Sequence, residues 1–305
     1  MQTTHHVLMV RPSRFGYNEE TASNNAFQHK ASSADEAMLI RRQAVEEFDA
    51  YVSLLRSNGI TVDVLQDTPE PFTPDSIFPN NCFSTHLIGG ERVLVIYPMF
   101  APNRRLEREK LFHEGYHATF ARIVDLTLWE QENKFLEGTG SLILDRDHHF
   151  AYACRSPRTD EAVLQSWASQ LDYRYFLFDS EDENGKPIYH TNVLMHVGTR
   201  FAIVCMDTVK DSRQRSCLHE LLEAHGKEVV AITVQQMHQF AGNMLELRTA
   251  EGRKLLVMSS QAKRSLTPHQ IEILEQDVTI LSPSIESIET AGGGSARCMI
   301  AELFE

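Results

Sequence analysis

The stretch NVLMHVGTRFAIVC, residues 192–205, holds two apolar runs joined by a polar turn. The same pattern stands in CFSTHLIGGERVLVIYP from Cys82, SLILDRDHHFAYAC from Ser141 and NMLELRTAEGRKLLVMS from Asn243. The turns IGGE, DRDH, VGTR and AEGR carry the Gly and Asp residues that antiparallel hairpins use. A fifth apolar run, CMIAELF, begins at Cys298, and HVLMVRP from His6 is the expected partner that would close a ring.

Outward from these hairpins the periodicity changes to helical. RRLEREKLFHEGY from Arg104, DEAVLQSWASQL from Asp160, CLHELLEAHG from Cys217 and TPHQIEILEQD from Thr267 read as helices. A longer one, SSADEAMLIRRQAVEEFDAYVSLLRSNG, starts at a Ser-rich cap and ends at Asn58-Gly59. One hairpin plus one helix recurs roughly every 50 to 60 residues, the spacing of radially repeated folds. The expected architecture is a single α/β domain over residues 1–305, five units around an axis with a central channel. No low-complexity linker divides it.

Composition sets the outer limits on function. With 42% hydrophobic and 23% charged residues the chain can bury an ordinary globular core. A formal net charge of -13 argues against nucleic-acid phosphates as partners, because their affinity comes from Lys and Arg. No apolar run approaches the roughly 20 residues of a membrane helix, and the N-terminus lacks a signal-peptide pattern, so a cytoplasmic location is expected. Five cysteines with no CxxC pair suggest neither a disulfide framework nor structural zinc. No HxH pattern calls for a metal, and no cofactor is expected.

If equivalent strands start at equivalent heights, the residues just before them converge. Those residues are Asn80 and Asn81, Glu137, His190, Asn243 and Cys298. A carboxylate, an imidazole and a thiol at matching positions suggest catalysis. Cys298 follows the flexible run AGGGSAR, which lets backbone approach a ligand, and a thiolate is a strong nucleophile. His190 titrates ordinarily near working pH, as a general acid/base should. Glu137, between Leu136 and Gly138, either orients His190 or holds a substrate N–H while shuttling protons. Asn243 reads as a strand-start turn residue and stays outside the catalytic set.

These residues carry a resemblance to the pentein, or guanidine-modifying, superfamily. It is carried by DSIFPNN, FLEGTG, RSPRT, the HTN strand start and GGGSARC, in order over nearly the whole chain. Within the superfamily the chain most resembles the branch that includes citrulline utilization hydrolases. The resemblance implies a five-bladed α/β propeller with pseudo-five-fold symmetry and a covalent mechanism: Cys298 attacks the trigonal carbon, His190 serves as acid and base, and Glu137 orients substrate nitrogens. It further implies that Asp75 meets the substrate α-amino group and that Arg158 and Arg104 or Arg105 grip its carboxylate, with Phe78, Asn81 and Asn192 completing the binding set.

Guanidine-acting members commonly carry aspartates where this chain has Asn81, Gly140 and Asn192. An unpaired buried cation costs several kcal/mol, whereas an uncharged ureido group avoids that cost and suits the donor and acceptor of an asparagine. The expected reaction is therefore hydrolysis of citrulline to ornithine, carbon dioxide and ammonia. Three alternatives compete with it: arginine or a substituted arginine as substrate, a non-catalytic ligand-binding ring, and a papain-like Cys/His protease. The expected partner is a small amino acid, and the reading allows a homo-oligomer.

Overall fold

The computed structural model describes residues 1–22, 24–25, 27–112 and 119–305. The hairpin-plus-helix unit read from the sequence is present five times, each as a three-stranded sheet. The four internal sheets are β3–β4–β5 (Phe83–Ile88, Glu91–Ile96, Arg122–Asp125), β6–β7–β8 (Ile143–Asp145, Phe150–Cys154, Arg174–Phe178), β9–β10–β11 (Met195–Val197, Phe201–Val204, Glu228–Ala231) and β12–β13–β14 (Leu245–Arg248, Lys254–Val257, Thr279–Leu281). The fifth joins the chain ends: β1 (His6–Arg11) pairs antiparallel with β15 (Ala301–Leu303) and parallel with β2 (Thr61–Gln66).

Each sheet has one antiparallel and one parallel pairing, and the parallel strand is reached through helical crossovers, as its geometry demands. The middle strands are buried along most of their length, β7 and β10 completely, whereas the third strands β2, β5, β8 and β11 are largely exposed or half-buried. That gradient explains why the first two strands read as apolar runs and the third does not.

The crossover helices begin where side chains can satisfy their first N–H groups. Ser33 caps the helix Ala34–Ser57, Asp160 caps Glu161–Leu171, Asp211 caps Ser212–Ala224, and Thr267 with Gln270 forms a capping box on Pro268–Glu275. The helix expected from Arg104 differs: it is two short helices, Pro102–Arg105 and Glu107–Leu111, and residues 113–116 of that stretch lie outside the described residues.

The innermost strands touch in cyclic order. Thr85 of β3 donates to Glu302 O of β15 at 2.9 Å, and Arg146, just past β6, donates to Thr85 O at 3.2 Å. Gln2 bridges Leu144 O and Val197 O at 2.9 and 3.0 Å, tying β6 to β9. Glu246 of β12 accepts from Thr199 N at 2.7 Å, and Arg248 N reaches Thr4 O at 3.1 Å, while Thr4 donates to Leu303 O. No helix among the described residues is long and apolar enough to cross a membrane.

The strand starts are later than the sequence suggests. One-turn helices at Gly138–Ser141 and Thr191–Leu194 precede β6 and β9, and Cys298 lies in a turn three residues before β15. Short apolar runs do not distinguish such turns from strand. These turns crowd together, and at Gly242 a Cβ would stand 2.2 Å from Val193 O. Gly242→Ala is expected to lose about 1–3 kcal/mol of stability by overpacking, read from the denaturant midpoint. Gly16→Ala, where a Cβ meets nothing within 4 Å, is the control and should lose little.

Candidate active site

The predicted carboxylate, imidazole and thiol all lie at one end of the inner strands, and all are buried. Glu137 is 0% exposed and its two oxygens are both engaged by protein. Oε1 accepts from Phe100 N at 3.0 Å; Oε2 takes His190 Nε2 at 2.8 Å and Arg158 Nη1 at 3.3 Å, with Arg104 Nη1 at 3.9 Å. Burial opposes its charge, yet Arg158, His190 and Arg104 together hold the carboxyl well below the usual carboxylate range. Of the two roles open to Glu137, these contacts serve the orientation of His190.

Burial pulls His190 down to about 4 although Glu137 acts in the opposite direction. The ring is therefore neutral near pH 7, with Nε2–H donated to the carboxylate and Nδ1 left as the acceptor. Gly140 makes room for it: a Cβ there would lie 2.8 Å from Nδ1 and 2.2 Å from Asn81 Nδ2. An aspartate at this position would displace the histidine or Asn81.

Cys298 is 6% exposed. Its turn is held by Cys298 N donating to Ser295 O at 2.9 Å and by Tyr51 OH donating to Ala296 O at 3.2 Å. The glycines before it lie on the Phe78 ring, where a Cβ on Gly292 or Gly294 would approach to 2.8 and 2.9 Å. Phe78 thus forms the floor of the loop that carries Cys298. Two amides point at the sulfur, Asn192 Nδ2 at 3.4 Å and Asn243 Nδ2 at 3.2 Å. Asn192 Oδ1 is buried with no hydrogen-bond partner.

The two neighbouring arginines differ sharply. Arg104 is buried, pairs with Glu107 at 2.9 Å, and donates to Asn81 Oδ1 at 2.9 Å and Phe78 O at 3.0 Å. Burial pushes Glu107 up to about 7 even so. Arg105 points elsewhere, to Met99 O and Glu130. Asn81 is held at both ends, since its Nδ2 donates to Glu137 O at 3.4 Å. Asp75 lies 3.9 Å from Arg104 Nε and accepts from Asn18 and Thr21; its Oδ1 is buried without a partner, and burial raises its carboxyl. Arg158 stacks over Tyr189, 4.9 Å from the ring centre, and directs Nε and Nη2 at Asn24 Oδ1.

Asn18, Thr21 and Asn24 belong to the polar N-terminal stretch RPSRFGYNEETASNNAFQHK, residues 11–30. Gln28 of the same segment donates to Gly292 O at 3.0 Å. This segment lies across the site. Asn18, Asn24 and Glu107 were not legible as site residues, because no motif marks them. Asn243 carried a usable signal, its position matching those of His190 and Cys298. A cavity of about 460 Å³ adjoins the site, lined by Asn24, Tyr189, Val193 and Phe240 but not by Cys298. Elsewhere Asp145, His148 and His225 converge with ligand atoms within 4.8 Å, and Lys227 Nζ, 3.3 Å from Asp145, already supplies a cation to that carboxylate.

Comparison with known proteins gives a family match along almost the whole chain: the model described as N,N dimethylarginine dimethylhydrolase, eukaryotic, matches residues 11–305. No curated protein matches the chain in sequence. Among solved structures, the N-terminal domain of ArgZ, an arginine dihydrolase from the ornithine–ammonia cycle in cyanobacteria solved as a cysteine-to-serine mutant with substrate, is 16% identical with TM-score 0.76 and 98% of each chain covered. AgrE, solved as a cysteine-to-alanine mutant with L-arginine, is 16% identical with TM-score 0.74, over 98% of this chain and 40% of that one. DDAH from Pseudomonas aeruginosa, a cysteine-to-serine mutant complexed with citrulline, is 12% identical with TM-score 0.67 over 99% and 100% of the chains. At these identities the structural likeness speaks for the fold.

The imidazole also predicts a pH dependence of stability. An exposed histidine titrates near 6.5, whereas folded His190 stays neutral to about 4. Between those values the unfolded chain takes up a proton that the native state refuses. The contribution of His190 is thus whole above about pH 6.5 and is lost as pH falls toward 4. His190→Asn should flatten the fall in Tm over that window. An unchanged slope would show that His190 is not the group responsible.

Proposed function

The chain belongs to the N,N dimethylarginine dimethylhydrolase family, within the pentein superfamily, and from that premise we propose that it hydrolyses the ureido group of citrulline through a covalent bond to Cys298. In this reading residues 1–305 form one catalytic domain of the five-bladed propeller type, working in the cytoplasm without metal or cofactor. The observation that carries the substrate choice is Asn192. It stands beside the thiol as an amide, with Nδ2 3.4 Å from the sulfur and Oδ1 buried and unpartnered. A ureido nitrogen can donate to that oxygen, whereas a guanidinium there would lack a countercharge. Glu137 supplies none, because Arg158 and Arg104 already balance it.

The steps balance with one water. The thiol proton passes to His190, leaving imidazolium beside Glu137, and the sulfur forms a bond to the ureido carbon. One carbon–nitrogen bond breaks as His190 returns its proton to the leaving nitrogen. Water then gives a proton to His190 and its oxygen to the carbon, the sulfur–carbon bond breaks, His190 returns that proton to the sulfur, and the resulting carbamate releases carbon dioxide. The products are ornithine, carbon dioxide and ammonia. At the other end of the substrate, Asp75 Oδ1 is an acceptor for the α-ammonium, and the Arg158 fork, now holding Asn24, suits the α-carboxylate. Arg104 supports Asn81 and Phe78 rather than reaching for substrate.

The description of the family favours a second reading, in which the substrate is arginine or a methylated arginine. One assay separates the two. Purified protein is incubated with citrulline, arginine and dimethylarginine in turn, and ornithine, citrulline and ammonia are followed. Citrulline should yield ornithine, and Cys298→Ala should lower the rate at least about 10³-fold. Asn192→Asp should cut citrulline turnover roughly 10–100-fold by setting a charge against a neutral group. Turnover of a guanidine with citrulline inert would reject the ureido assignment.

A further inference from the structure

Asn243 is 2% exposed and precedes β12, in the fourth unit, at the position that Cys298 occupies in the fifth. Its amide is held by two backbone groups of fixed character. Oδ1 accepts from Arg297 N at 3.1 Å, and Nδ2 donates to Asn192 O at 3.1 Å. An N–H can only donate and a carbonyl can only accept, so these neighbours determine which way the amide faces. The second hydrogen of Nδ2 is left for Cys298 Sγ, 3.2 Å away. Gly242 permits this placement, because a side chain there would collide with Val193 O.

The sulfur receives its two side-chain hydrogen bonds from uncharged amides, Asn243 and Asn192, and none from a cation among the described residues; as a thiol it also reaches Asn243 Oδ1 at 3.6 Å, a longer contact than the 3.2 Å from Nδ2. A hydrogen bond from a neutral donor is stronger to an anion than to a neutral acceptor, so it favours thiolate over thiol. Asn192 differs from Asn243 in having a free oxygen for substrate. Asn243 has no polar atom left over, and its whole hydrogen-bonding capacity goes to the backbone and the sulfur.

We infer that Asn243 is a catalytic residue that holds and activates the Cys298 sulfur through its Nδ2–H, which places the nucleophile at the meeting point of the third, fourth and fifth units. The inference rests on Cys298 being the nucleophile, as proposed above, but not on which substrate it attacks.

The test needs no substrate. Iodoacetamide alkylates a thiolate, forming a sulfur–carbon bond as iodide leaves, and peptide mass analysis separates Cys298 from the other four cysteines. The alkylation rate of Cys298 is measured from pH 5 to 10 in the full chain, in Asn243→Asp and in Asn243→Ser, with unfolding midpoints taken for each. Asn243→Asp keeps an acceptor for Arg297 N and replaces the donor with a charge that repels the thiolate. Its profile should move to higher pH by about one unit, with a rate at pH 7 roughly tenfold lower, and Asn243→Ser should move the same way by less. In the citrulline assay kcat should fall with KM little changed. Profiles that coincide with that of the unaltered protein in a folded variant would overturn the inference. Failure of both variants to fold would overturn it too, because Asn243 would then serve only to join the units. Absence of citrulline turnover with a displaced alkylation profile would reject the ureido substrate and leave the role of Asn243 intact.

Discussion

The site depends on how one fully buried carboxylate is compensated. Removing a charge from water costs several kcal/mol, and Glu137 is held in its ionised form by Arg158, Arg104, His190 and a backbone N–H from Phe100. These partners come from three separate stretches of the sequence, at positions 100 and 104, at 158 and at 190. The carboxylate therefore acts as the knot that brings three units together, and loss of any one charged partner leaves a charge stranded in the interior. The same ionisation fixes the tautomer of His190, since Nε2 must donate to it.

From that knot the electrostatics divide in two. On one side Arg104, Glu107, Asp75 and Arg158 form a dense charged network whose carboxyls are pushed upward by burial at Glu107 and Asp75. On the other side the sulfur of Cys298 has two asparagine amides for company. The proposed substrate, a zwitterionic amino acid with an uncharged side-chain end, would set its charged head against the charged network and its neutral end at the thiol. The N-terminal segment already anticipates part of this arrangement, with Asn18 on Asp75 and Asn24 in the fork of Arg158.

The repeat was the most legible feature. Its hairpins carry their own turn residues, and the pairing of His6–Arg11 with Ala301–Leu303 follows from an apolar run at each end of the chain with no partner nearby. Boundaries were less legible. Gly138–Ser141 and Thr191–Leu194 are single helical turns, and local composition does not separate them from the strands they precede. The helix expected at residues 104–116 is broken at Leu106, where Arg104 turns inward to Glu107 and Arg105 turns outward to Glu130. Nothing in the pair Arg104-Arg105 foretells which one is buried.

By itself the sequence determined the unit, its five-fold recurrence, and the three residue types set at matching strand starts, because periodicity and turn chemistry are local properties. It also marked Cys298, His190 and Glu137 as residues that lie at one end of the inner strands, since repeat position is countable along a chain. Only the tertiary structure decided what each side chain does there. Glu137 proves to be saturated by protein, Asn81 proves to be clamped between Arg104 and Glu137, and Asn243 proves to face the sulfur. Such roles turn on a hydrogen bond's last ångström between residues 21 to 56 positions apart. That distance is settled by packing around the axis, where a missing Cβ at Gly140 or Gly242 admits one neighbour and excludes another.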